Sequence, residues 1–83
     1  NQLQNAFQQY NQNLSQYNYY KSIALPNAEI IISTAKVGFK SGDIGYIEYL
    51  QALQTATDVQ LNYLQSVNAL NQSIVNINFL TNK

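Results

Sequence analysis

Glycine, serine and aspartate crowd together at one place in this chain, the octapeptide 39–46. On either side of it lies a long segment with helical periodicity and no comparable break. Gly42 has no Cβ and can take the left-handed conformation that ends a helix. Asp43 can accept hydrogen bonds from the free backbone N–H groups that open the next helix, and Ser41 offers a weaker form of the same capping. The octapeptide therefore predicts a tight reversal, with its turn at 41–43, between two antiparallel helices.

The segment before the turn predicts one long helix over about residues 2–40. Its apolar positions step by four and three residues, an average of about 3.5 that is typical of a coiled-coil seam. They are Leu3, Phe7, Tyr10, Leu14, Tyr17, Ala24, Ala28, Ile31 and Ala35. Pro26, which follows Leu25, removes one backbone hydrogen bond and clashes with the preceding turn, at a cost of about 3 kcal/mol in isolation. Because the periodicity resumes beyond the proline, we expect a kink near 25–26 and not the end of the helix.

The segment after the turn predicts a second helix over about residues 44–80. It repeats the same spacing at Tyr46, Tyr49, Leu53, Ala56, Gln60, Tyr63, Val67, Leu70, Ile74 and Ile77. A second apolar row lies beside the first and consists of Ile47, Leu50, Leu61 and Leu64. Two adjacent rows form a wider stripe than one partner helix covers. We therefore expect an all-α fold over residues 1–83, a long antiparallel two-helix coiled-coil hairpin that associates further.

Composition excludes several functional classes. Four basic and four acidic side chains give zero net charge, so electrostatic attraction of nucleic acid is not expected. The chain has no cysteine and no histidine, which removes disulfides, thiol chemistry and the usual zinc sites. Ser33 and Ser41 have no base partner, so we predict no enzyme activity, no cofactor and no metal site. The chain starts inside a periodic segment without an initial Met, and we expect a fragment of a longer protein.

Several stretches resemble the outer-membrane efflux protein family, the TolC-like exit ducts of tripartite pumps. They are Leu25-Pro26-Asn27-Ala28-Glu29, Phe39-Lys40-Ser41-Gly42, Tyr46-Ile47-Glu48-Tyr49-Leu50-Gln51-Ala52-Leu53 and Asn62-Tyr63-Leu64-Gln65-Ser66-Val67. The leucine–proline step followed by an aromatic-x-x-Gly tip is most similar to the heavy-metal branch, whose namesakes are CusC and CzcC. The resemblance covers nearly all 83 residues, as the last helical hairpin of the family's second internal repeat.

The resemblance implies a place in the periplasmic α-helical barrel of a trimeric outer-membrane protein from a Gram-negative bacterium. It implies two partners, a periplasmic adaptor protein that docks on the hairpin and an inner-membrane RND-type pump. The pump is either a separate protein or fused to the channel in one polypeptide. The family pattern assigns the adaptor contact to Phe39, Gly42, Asp43 and Ile44. It places Glu48 and Gln51 at the periplasmic entrance of the duct. Three copies of Glu48 around an axis would form a weak cation-attracting ring, whereas Gln51 departs from the family's acidic pattern.

A structural coiled-coil oligomerisation module unrelated to transport is the alternative. From the residues alone, the tip is a simple helix–helix turn and Asp43 is its cap. Glu48 is then an exposed acid in the first turns of a helix, where the helix dipole favours negative charge. A signal peptide and a second copy of the hairpin in the parent sequence would favour the efflux interpretation.

Overall fold

The computed structural model describes residues 1–82, which form three α-helices and one π-helical turn. Helix α1 spans Gln2–Tyr19, the π-helical turn Tyr20–Ala24, α2 Leu25–Ser41 and α3 Tyr46–Thr81. No strand occurs in that range. The chain reverses once, so that α1 and α2 lie along α3 in a rod of 62 × 16 × 16 Å. The predicted all-α hairpin is confirmed.

Pro26 is accommodated by the π-helical turn directly before it. The Leu25 N–H donates to the carbonyl of Tyr20, five residues back instead of four. A π-helical turn contains one residue more than the α-helix would, which widens the backbone where the proline ring would otherwise clash. The interruption expected near 25–26 therefore takes the form of a wide turn at 20–24, and the helical arm continues through it.

The contact between the two arms is built from small side chains. The buried residues are Ala6, Ala24, Ala28, Ala35, Ala56, Ser66 and Ser73. Larger groups flank this line, and the half-buried rings of Tyr17 and Tyr63 meet with their centroids 5.9 Å apart. The distance between packed helices depends on the side chains at the contact, so alanine and serine let the two arms approach closely.

The prediction of which residues of α3 face the other arm was wrong at three of its ten positions. The half-buried and buried positions are Tyr49, Ala52, Leu53, Ala56, Val59, Tyr63, Ser66, Val67, Ala69, Leu70, Ser73, Ile77 and Leu80. The predicted members Tyr46, Gln60 and Ile74 are exposed. The column spaced by sevens from Tyr49 is common to both series, so the spacing was right. The second column that faces the other arm begins at Ala52 and contains Ser66 and Ser73. Its small residues let the two arms approach more closely than the predicted column would.

The π-helical turn shifts the contact face of the other arm by one residue, which an unbroken repeat did not predict. The buried and half-buried positions up to the end of the turn are Ala6, Tyr10, Asn13, Leu14, Tyr17, Tyr20 and Ala24, and those after it are Leu25, Ala28, Ile32, Ala35 and Gly38. Continuing the first series by sevens leads to Ile31, yet Ile31 is exposed and Ile32 is half-buried. Phe7, predicted to face α3, is likewise exposed beside buried Ala6.

Candidate functional site

The outer end of the hairpin is a Schellman motif centred on Gly42. Gly42 has φ 85° and ψ 5°, the left-handed conformation. The Asp43 N–H donates to the Gly38 carbonyl at 2.8 Å, and the Gly42 N–H donates to the Phe39 carbonyl at 3.3 Å. These are the two hydrogen bonds that define the motif. The Ser41 hydroxyl also donates to the Gly38 carbonyl, at 3.1 Å, so the carbonyls of Gly38 and Phe39 have hydrogen-bond partners within the tip.

Asp43 does not cap α3, contrary to the prediction. The N-cap of α3 is Gly45, which has no side chain to accept a hydrogen bond from the first N–H groups. Asp43 lies two residues before that position and is exposed. The loop therefore occupies 42–45 instead of 41–43. The acidic group in the first turn of α3 is Glu48, where the helix dipole favours a negative charge.

Ile44 closes the tip by packing over Gly38. The Ile44 N–H donates to the Gly38 carbonyl at 3.2 Å, and its side chain is half-buried. A Cβ built on Gly38 would lie 3.3 Å from Cγ1 of Ile44, closer than most real contacts. Ile44 thus supports the turn from inside. Gly42 differs, because a Cβ there would meet nothing within 4 Å.

Phe39 belongs to an aromatic cluster that joins the two helices at the tip. Its ring stacks on Tyr49 with centroids 4.9 Å apart and planes 6° apart. Tyr46 lies beside it, with its centroid 6.1 Å from that of Phe39. A stacked aromatic pair contributes about 0.5–1.5 kcal/mol beyond the area that it buries. Phe39 remains 40% exposed, so it holds the tip together and still presents part of its ring to solvent.

Glu48 stands at the rim of an open groove near the tip, which we call the tip groove. The groove has a volume of about 790 Å³, and its lining includes Ile30, Ile31, Val37, Gly38, Asp43 and Ile44. Gln51 is exposed and does not line this groove. Glu48 and Gln51 are three residues apart on α3, and of the two only Glu48 lines the tip groove.

Two exposed apolar strips run along the tip half of the rod. The α2 strip consists of Ile23, Ile30 and Val37, spaced by sevens and 52–68% exposed. The α3 strip consists of Ile47, Leu50, Leu61 and Leu64, the second row predicted from the sequence, and is 40–66% exposed.

The two strips point away from each other. Ile30 and Val37 border the tip groove on the same side of the hairpin as Glu48. Successive residues of an α-helix are about 100° apart, so Leu50 projects about 200° around α3 from Glu48. The α3 strip therefore lies on the side of the hairpin that faces away from the tip groove and the α2 strip. Neither strip is covered by the other arm.

A polar contact that the sequence analysis missed aligns the two arms far from the tip. The Asn13 side-chain amide donates to the Ser73 hydroxyl and, at 3.2 Å, to the Ala69 carbonyl. The Ser73 hydroxyl donates to the same carbonyl at 3.0 Å. A polar pair within an apolar contact favours one axial alignment of two helices, since other alignments leave it unpaired. The available signal was Asn13 itself, which lies seven residues after Ala6. The predicted seam contained its neighbour Leu14 instead.

Among residues 1–82, no three His, Cys, Asp or Glu side chains are grouped so as to hold a metal ion. Within the same range, no helix is both long and apolar enough to cross a membrane. Comparisons with protein-family models, with curated proteins and with solved structures each found no match to this chain.

Proposed function

We propose that this chain is the periplasmic tip hairpin of an outer-membrane efflux channel. It forms part of the exit duct of a tripartite pump for heavy-metal cations and docks the periplasmic adaptor protein. The observation that carries the proposal is the pair of exposed strips on different helices and opposite sides of the hairpin. Both strips are covered only when the hairpin has a neighbour on each side, which is the situation of a helix pair in the wall of a closed barrel.

The second strip favours the duct over a simple coiled-coil dimer. A two-fold dimer uses one patch twice, so a single apolar face would be sufficient for it. The α3 strip would stay exposed in a dimer built on the α2 strip. A helical barrel leaves neither strip in water, and it also explains why so many large side chains of a small chain are uncovered.

The geometry of the tip supports adaptor docking at Gly42. The space around this residue is open, so a partner helix can reach the backbone of the turn. Phe39 and Asp43 are exposed beside it and provide a ring edge and a carboxylate for the contact. Ile44 has the supporting role of holding the turn against Gly38.

Glu48 supplies the cation-attracting element of the proposed duct. In a homotrimer three copies of this exposed carboxylate surround the entrance, and Gln51 adds a neutral polar position three residues further along α3. The substrate reaches the duct from an RND-type pump of the inner membrane, either a separate protein or part of the same polypeptide.

Replacing Gly42 by Asn in the complete channel tests this function. Asparagine tolerates the left-handed conformation, so the turn is kept while a side chain enters the open docking space. We expect crosslinking to the adaptor and export of metal cations to fall by about tenfold, a loss of about 1.4 kcal/mol in binding. Gln12→Asn, at an exposed site of α1 far from the tip, is the matched control and should change neither. Undiminished export together with normal adaptor crosslinking in the Gly42→Asn channel would contradict the proposal.

A further inference from the structure

The two strips lie at the same height along the rod. The arms are antiparallel and joined at 42–45, and the stacking of Phe39 on Tyr49 fixes their alignment near the tip. Val37 is therefore close to the level of Leu50, and Ile23 is close to the level of Leu64. Two hairpins placed side by side and pointing in the same direction would bring the α2 strip of one against the α3 strip of the other.

The opposite orientation does not match. The far half of the arm carries Asn1, Gln8 and Ser15 in the column that the π-helical turn aligns with Ile23, Ile30 and Val37. A neighbour pointing the other way would place this polar surface against the apolar strips, which reduces the apolar area that is buried. Same-direction packing brings Val37 level with Leu50 and Ile23 level with Leu64 of the next copy, so apolar side chains meet at both ends of the strips, while Ile30 lies level with Thr57 between them.

We propose that copies of this chain assemble with one another, side by side and in the same direction, through contact of the α2 strip with the α3 strip of the next copy. The contact is heterologous, because each copy offers a different strip to each of two neighbours. The inference uses the same strips as the proposed function but requires only this hairpin, with no adaptor, pump or second kind of hairpin.

The exposed area is large enough for such a contact. The accessible surface is 6068 Å² for a chain of 9.4 kDa. A compact monomer of that mass exposes about 5000 Å², so the excess is about 1000 Å². A standard stable interface buries about 800 Å² per partner. The zero net charge adds no long-range repulsion between copies.

Complementary blocked variants test the heterologous contact. Ile30→Glu with Val37→Glu blocks the α2 strip, and Leu61→Glu with Leu64→Glu blocks the α3 strip. All four positions are exposed, so helicity by circular dichroism should be retained. By analytical ultracentrifugation and native mass spectrometry, the unmodified chain should form species larger than a dimer. Each blocked variant alone should lose every species larger than a monomer, whereas their equimolar mixture should give a dimer containing one of each.

The mixture distinguishes this contact from a two-fold dimer. In the mixture, the intact α3 strip of one variant binds the intact α2 strip of the other, and the resulting dimer has no intact strip left to bind a third copy. Thr55→Glu with Asn62→Glu adds the same charge at exposed positions in the Glu48 column of α3, away from both strips, and this control should assemble like the unmodified chain. A monomeric unmodified chain, blocked variants that still self-associate, or a mixture that stays monomeric would each overturn the inference.

Failure of this inference and failure of the proposed function give different results. If the blocked variants pair while Gly42→Asn leaves export and adaptor crosslinking intact, the self-assembly stands and the efflux function does not. If the unmodified chain is monomeric while Gly42→Asn abolishes export, the efflux function stands and assembly of this hairpin alone does not.

Discussion

Two glycines at the tip illustrate how different physical requirements act on the same residue type. Gly42 is required for its backbone conformation, since φ is 85° and the surrounding space is empty. Gly38 has the ordinary helical conformation and is required for space, because Ile44 packs directly over it. Together they explain how the chain reverses within the four residues 42–45.

Gly42→Ala should lower the free energy of unfolding by about 1–2 kcal/mol, because an L-residue with a Cβ is strained in the left-handed region. Gly42→Asn should lose less than the alanine variant, since asparagine tolerates that conformation. Chemical denaturation followed by circular dichroism measures both. Equal losses for alanine and asparagine would argue that the backbone conformation is not the cause.

Gly38→Val should destabilise the hairpin by about 1–3 kcal/mol, because the added atoms overpack against Ile44. Combining it with Ile44→Ala should restore part of that loss, since the alanine makes room for the valine. The interaction energy of this double-mutant cycle is the quantity to measure. Strictly additive losses would show that the two side chains do not compete for space.

At the scale of the elements, the π-helical turn acts as a one-residue insertion in the α1–α2 arm. It moves the contact face from the series of Ala6 and Asn13 to the series of Ala28 and Ala35. It also aligns Ile23, Ile30 and Val37 with the outward column of α1 that contains Gln8 and Ser15. The position of the α2 strip therefore depends on this turn.

Deleting Ser22, together with Pro26→Ala, should leave stability within about 1 kcal/mol of the unmodified chain or raise it. The deletion removes the extra residue of the turn, and an uninterrupted α-helix then presents the same inward residues to α3. Deleting exposed Ser33 is the matched control. It rotates Ala35 out of the contact and should cost several kcal/mol in a denaturation experiment. Equal losses for the two deletions would contradict the insertion model.

At the scale of the whole molecule, the hairpin is a thin rod whose buried residues are all alanine or serine. Burying a large apolar side chain contributes about 1.5–3 kcal/mol, and alanine and serine bury much less apolar area. Most of the apolar area that such a chain carries is left on its flanks. We expect the rod to be marginally stable alone and to gain stability from its neighbours.

The melting temperature of the unmodified chain should therefore rise with protein concentration, since association stabilises the folded state by mass action. The chain with both strips blocked should show no such dependence. Circular dichroism melts over a wide concentration range provide the measurement. If the melting temperature of the unmodified chain does not depend on protein concentration, the isolated hairpin gains no stability from association and the expectation is wrong.

The sequence by itself determined the helical fold, the site of the reversal and the need for Gly42, because these depend on local spacing and on backbone conformation. The second row that was expected to stay uncovered, from Ile47 to Leu64, is exposed in the structure. Only the tertiary structure decided which columns face each other. Hydrophobicity predicts that large apolar residues such as Phe7 and Ile74 are buried between the helices. In the structure the helices are in close contact, and the smaller Ala6 and Ser73 are buried there instead. Asp43 likewise had the right chemistry for a cap but the wrong position, since only the folded loop shows that it lies two positions before Gly45, the N-cap of α3.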